Sequence, residues 1–207
     1  MTTPLFPLRA VLFPGGLLRL KVFETRYLDL MADCLREQRP FGVIGLRSGS
    51  EVHDKARPVR FEATGTMAEL IDVDAPQANL LQVRARGTQR FTLGAVEQHD
   101  DGLWHAQTTP WADDPPLAPT PEMIPTVRGL ASAIAALKAP PAPGETTAPE
   151  PPFLEPYRFD DAAWVANRWC EILPISQAAK QKLLELTDPM VRLSLVDDYL
   201  RSKGVIG

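Results

Sequence analysis

Between Pro4 and Arg39 the hydrophobic period changes once, and that change constrains the fold more than any other feature of the sequence. Leu5, Phe6, Leu8, Val11, Leu12 and Phe13 form a nearly continuous apolar run, broken by Pro7 and stopped at Pro14-Gly15-Gly16. Leu18, Leu20 and Val22 then alternate with Arg19 and Lys21, the period of a half-buried strand. Past Phe23 the spacing becomes helical, with Tyr27, Leu28, Met31, Ala32 and Leu35 on one predicted apolar face. Glu24 lies near the start of that helix and Arg36 and Arg39 near its end, as the macrodipole favours, and Pro40 stops it. The stretch predicts strand, tight turn, strand and helix. Its polar group, Glu24, Arg26 and Tyr27, has two readings. The carboxylate and the planar guanidinium pair internally to fix the strand–helix junction, or the group forms a recognition surface; internal pairing is the expectation.

Short strand-like segments follow as far as Trp111. Phe41 to Arg47 is apolar enough for a central strand, and Val59 to Ile71 is expected to end in a turn at Asp72-Val73-Asp74-Ala75-Pro76. Leu81, Val83 and Ala85 alternate with Gln82, Arg84 and Arg86 until Gly87 breaks the pattern. Arg90 to Glu97 and Leu103 to Thr109 predict a hairpin around Asp100-Asp101-Gly102, where Gly suits a left-handed position. Closely spaced short strands of this kind predict a rolled sheet or small barrel.

Composition shifts after Thr109. Prolines crowd Trp111 to Pro125, and helical spacing runs from Thr126 to Lys138. A second proline-rich stretch, Ala139 to Pro156, is too broken for a regular element. Asp160 is the expected N-cap of a helix carrying Trp164, Val165, Trp169 and Ile172. Ser176 caps a second helix, and Asp188-Pro189 opens a third. The expected organisation is a β-rich domain at 1–111 and, at 112–207, proline-rich linker segments with a helical domain.

These phrases together resemble a known family. Pro7, Phe13, Pro14, Gly15, Phe23, Glu24, Arg26 and Tyr27 occupy the opening motif of the Lon amino-terminal domain, the substrate-recognition region of the ATP-dependent Lon proteases, which also occurs as a free-standing protein (peptidase S16 Lon N-terminal-like). The strands Gly65 to Leu70 and Val83 to Phe91, and the helices from Leu173 to Leu193, resemble further motifs of the same family, with Arg86 a bulkier residue than its pattern has. The resemblance implies an α+β protein: an amino-terminal rolled sheet or small barrel, PUA-like, with one helix, followed by a carboxy-terminal helical bundle. It also implies a non-catalytic module that binds unfolded or client polypeptides, with a protease or chaperone machine as the onward partner.

Chemistry in the sequence agrees with a role short of catalysis. No Gly-Lys dipeptide occurs, so the loop that would cradle ATP phosphates is missing, and no nucleophile pair of the protease kind stands out. His53, His99 and His105 have no helix-spaced second ligand, so no metal and no cofactor are expected and surface histidines are the reading. The pairs Asp100-Asp101, Asp113-Asp114 and Asp197-Asp198 are assigned to turns or a polar helix side, and Cys34 and Cys170 to buried thiols. A formal net charge of −4 gives no global attraction to nucleic acid or anionic lipid. With neither a spanning apolar run nor a basic leader, the expected location is the cytoplasm. The alternative function is RNA binding on the stripe Arg84, Arg86 and Arg90, which Glu62, Glu69, Asp72 and Asp74 stand ready to neutralise. For polypeptide binding the candidate residues are Trp111, Phe153, Tyr157 and Phe159, large aromatics in or beside proline-rich sequence. Their other reading is as pins that hold the linker onto the helical domain.

Overall fold

The computed structural model describes residues 2–48, 59–138 and 152–206, so His53 and most of the second proline-rich stretch lie outside the described residues. The strands are β1 (Thr2–Leu8), β2 (Leu17–Val22), β3 (Phe41–Ser48), β4 (Arg60–Gln77), β5 (Leu80–Gln98) and β6 (Trp104–Pro110). The helices are α1 (Thr25–Glu37), α2 (Ile124–Leu137), α3 (Ala162–Ile172), α4 (Gln177–Glu185) and α5 (Pro189–Ser202). Two compact units emerge, Met1–Asp113 with Ile175–Glu185 and Asp114–Pro174 with Leu186–Gly207.

In the first unit the strand order is β2-β5-β4-β3-β1-β6, and β5 pairs with β6 as well, so five of the strands close on themselves. Among the described strands only β1 and β3 run parallel; such a pair needs a crossover, and β2 with α1 supplies the chain between them. The first two predicted strands are therefore not a hairpin: β2 pairs along β5. Alternation divides the apolar residues between two cores. Leu5, Ile44, Phe91 and Ala106 meet in one, while Phe6, Val43, Val83 and Ala85 face α1 through Tyr27, Leu30, Met31 and Cys34 in the other.

Three expectations change. The buried face of α1 is Tyr27, Leu30, Met31 and Cys34, rotated by a residue from the predicted one, and Leu35 is exposed. Strand β4 runs through the expected turn at Asp72 to Pro76, because the register shift between Asp74 and Gln77 takes up Ala75 and Pro76 as a bulge, where proline costs no ladder bond. The chain reverses later, with Asn79 in the left-handed region at φ 59°. Gly87 does not end its strand either. It bonds Gly15 N–H and Gly16 C=O across the Pro14-Gly15-Gly16 turn, and a Cβ there would lie 2.4 Å from the Phe13 carbonyl oxygen.

In the second unit α3 packs on α5 and is buried along Ala162 to Cys170. Its N-cap is Asp161, whose carboxylate accepts from the Ala163 and Trp164 amides; Asp160 stands one residue outside. Asp188 caps α5 onto Met190 and Val191 with Pro189 in the first turn, as the sequence predicts. Pro125 lies in the first turn of α2. Two of the acidic residues read as turn or surface groups brace this unit. Asp114 accepts from buried Arg192 at 2.7 Å, and Asp197 accepts from the Thr126 hydroxyl and from Arg201.

Candidate functional site

At the β2–α1 junction, alternation sends Val22 into the core and Phe23 outward, where it is 62% exposed. Glu24 opens α1 with its carbonyl, which accepts from the Tyr27 and Leu28 amides at 2.9 Å each. Its side chain does not cap the helix. Instead its Oε2 accepts from Arg26 Nε at 3.1 Å and Nη2 at 2.8 Å, so the internal pairing predicted for this group is present. Arg26 also donates from Nη1 to the Gly102 carbonyl at 2.8 Å, and its guanidinium lies 4.6 Å from the Tyr27 ring centroid. A neutralised, buried cation thus ties the start of α1 to the β5–β6 turn.

That turn makes the second wall. His99 N–H donates to the Leu103 carbonyl at 2.9 Å, Gly102 sits at φ +82°, and Asp101 Oδ1 accepts from the Leu103 amide at 2.8 Å. Between the walls lies an open cleft of about 580 Å³, with Phe23, Glu24 and Arg26 on one side and His99, Asp100 and Asp101 on the other. Behind it His99 and His105 stack with ring centroids 3.8 Å apart, so His105 is half-buried rather than a surface group. Burial holds its pKa below the usual histidine value, the neighbouring His99 adds to this, and Asp101 acts in the opposite sense.

A second cleft of about 420 Å³ in the same unit is lined by Leu8, Val11, Leu46, Arg47, Glu62 and Gln181. Gln181 holds α4 against β4, donating to the Thr64 carbonyl at 3.0 Å. Arg47 and Glu62 stand 3.6 Å apart across its wall.

The four aromatics proposed from sequence do not form one group. Trp111, in the first unit, donates its indole N–H to Thr92 Oγ1 at 2.7 Å, and the Arg90 guanidinium lies 4.7 Å from its ring centroid. In the second unit Phe153 is buried, while Tyr157 and Phe159 meet each other and Trp164 at ring distances of 5.4–5.9 Å. In the basic stripe, Arg90 is also buried and donates to the Leu184 carbonyl at the end of α4 at 2.9 Å. Arg84 and Arg86 pair in register with Asp72 and Glu69 on β4. Among the described residues no cluster of three or more His, Cys, Asp or Glu could hold a metal, and no helix is long and apolar enough to cross a membrane. In the sequence Glu24 and Arg26 are candidates for a recognition group and Phe23 only a motif position, although the inward Leu18, Leu20 and Val22 already assign it to the outer face.

This mixed sheet with helices is an α+β fold of the Lon amino-terminal type. The sequence matches the family described as the ATP-dependent protease La (LON) substrate-binding domain over residues 2–202, and the chain belongs to that family. It is similar to the crystal structure of a Lon N-terminal domain protein from Xanthomonas campestris, with 30% identity and a TM-score of 0.73 over 96% of this chain and 98% of that one. The N-terminal domain of the Lon protease of Mycobacterium avium complex shares the fold, with a TM-score of 0.61 at 15% identity over 97% of this chain and 98% of that one. A comparison with curated proteins finds no match.

Proposed function

We propose that the chain is a non-catalytic module that recognises polypeptides, and that its binding face includes the cleft at the β2–α1 junction. The observation that carries this reading is Phe23, a large apolar side chain 62% exposed beside an Arg26–Glu24 pair that holds the junction rigid. Exposed aromatics on braced elements contribute most to association, because little order remains to be lost on binding. Membership of a substrate-binding family supports the class of partner. The absence of a Gly-Lys phosphate loop from the sequence supports a role without ATP chemistry.

Trp111, Phe153, Tyr157 and Phe159 serve better as pins than as a binding surface: Phe153 is buried, Tyr157 and Phe159 pack on each other, and Trp111 carries the Arg90 guanidinium on its ring. The RNA reading is left with Arg84 and Arg86, since Arg90 is committed to α4. Purified protein should retain fluorescent unfolded casein in anisotropy titrations, without cleaving it and without hydrolysing ATP. Failure to bind casein, or turnover that survives removal of contaminating protease, would overturn the reading. RNA that binds more tightly than casein at 0.15 M salt and is lost on Arg84→Ala/Arg86→Ala would replace it.

A further inference from the structure

From the charge around Phe23 we infer that the junction cleft selects a polypeptide segment in which an aromatic or large aliphatic side chain is flanked by lysine or arginine. The inference rests on the reading of the chain as a polypeptide-recognition module, and names which segments it takes. Among the described residues lining the cleft, the arginine is already satisfied: Arg26 spends Nε and Nη2 on Glu24 and Nη1 on the Gly102 carbonyl. That pair presents no net charge to an incoming chain.

The opposite wall is different. Asp100 and Asp101 face the same cleft and neither makes a salt bridge to any described residue. Asp101 uses Oδ1 on the Leu103 amide, which fixes the direction of its carboxylate, and its charge also acts on the half-buried His105 behind it. An apolar plate and two carboxylates without a salt bridge to a described residue, lining one cleft, are complementary to an apolar residue with an adjacent cation. Like-charged flanks would be repelled, so the same geometry rejects Asp- and Glu-flanked segments. The volume of about 580 Å³ accommodates one large side chain and the stem of a neighbour rather than a folded surface. Backbone placement is rigid on both walls, since Arg26 bridges them.

The test compares fluorescent twelve-residue peptides that differ only at the centre: Lys-Phe-Lys, Glu-Phe-Glu and Lys-Ser-Lys. Intact protein should bind the first about tenfold or more tightly than either of the others at low salt, and the difference from the acidic peptide should shrink in 0.5 M salt. Phe23→Ser should lose about tenfold for Lys-Phe-Lys, and circular dichroism should show the variant folded, since the side chain is exposed. Asp100→Asn/Asp101→Asn keeps the oxygen that accepts from Leu103 and should bring the Lys-Phe-Lys and Glu-Phe-Glu affinities to within about threefold. Asp100→Asn alone checks the same point without touching the turn bond. Equal binding of the three peptides by the intact protein, or unchanged affinity in folded Phe23→Ser, overturns the inference. Unfolded casein run in parallel separates the two levels: casein bound without a preference among peptides sinks the specificity alone, while loss of both sinks the recognition reading.

Discussion

Arg90 shows how one residue changes meaning between sequence and structure. In the sequence it extends a basic stripe; folded, it is buried, lies on the Trp111 ring and donates to the last turn of α4. A buried guanidinium is tolerated only where its hydrogen bonds and charge are answered. Arg90→Ala should therefore cost about 2–4 kcal/mol in urea denaturation, and Arg90→Lys should recover little, because an ammonium cannot lie flat on indole while reaching the carbonyl. A loss below about 0.5 kcal/mol, the size of an ordinary surface change, would show that the contact contributes nothing. His105 supplies a pH signature. Its folded pKa lies below the ordinary value of 6.5, with burial the largest cause, so between the two values the unfolded chain takes up a proton that the native state refuses. Stability is then full above pH 6.5 and declines as pH falls through that value towards the lowered one. His105→Phe should flatten the slope of the denaturation midpoint between about pH 7 and 5; an unchanged slope would assign the effect to other groups. For Cys34, burial pushes the thiol pKa up to about 11, consistent with the inert reading made from its place on the helix face.

Elements were legible where a period or a cap decides them, and illegible where a distant strand does. The β5–β6 hairpin, the left-handed Gly102 and the Asp188-Pro189 start of α5 were all readable from a few residues. Asp160 against Asp161 was not, because both are good caps and only the packing of α3 selects the second. Asp161→Ala should cost about 1 kcal/mol through two lost amide partners, whereas Asp160→Ala should stay within about 0.5 kcal/mol; the reverse order in thermal melts would mean that the cap lies elsewhere. The interruption of β5 at Gly87 was misread for a related reason. Glycine in a strand weakens it locally, yet here the missing Cβ makes room for the Pro14-Gly15-Gly16 turn, some seventy residues away in sequence.

Across the whole molecule, α4 belongs with the sheet although it is separated from it in sequence by the helices of the other unit. Gln181 satisfies the Thr64 carbonyl, and the Leu184 carbonyl satisfies Arg90. A chain truncated after Asp113 loses both partners and uncovers the buried Arg90, so it should melt well below the intact protein or fail to give a dispersed amide spectrum. Refolding on addition of a peptide spanning 173–187 would show that α4 is what is missing; native stability without α4 would contradict the pairing. The sequence by itself determined the class of element at most positions, the junction of strand and helix, the α+β character and the family, because these follow from local period, turn chemistry and a long ordered motif. Tertiary structure decided the closure of the sheet through β1, which joins β3 to β6, the assignment of α4 to the β unit, the burial of Arg90 and the placing of Phe23 in one cleft with Asp100 and Asp101. Each of these depends on which distant segments share a surface, and that choice is made by the burial and hydrogen-bond demands of the whole chain.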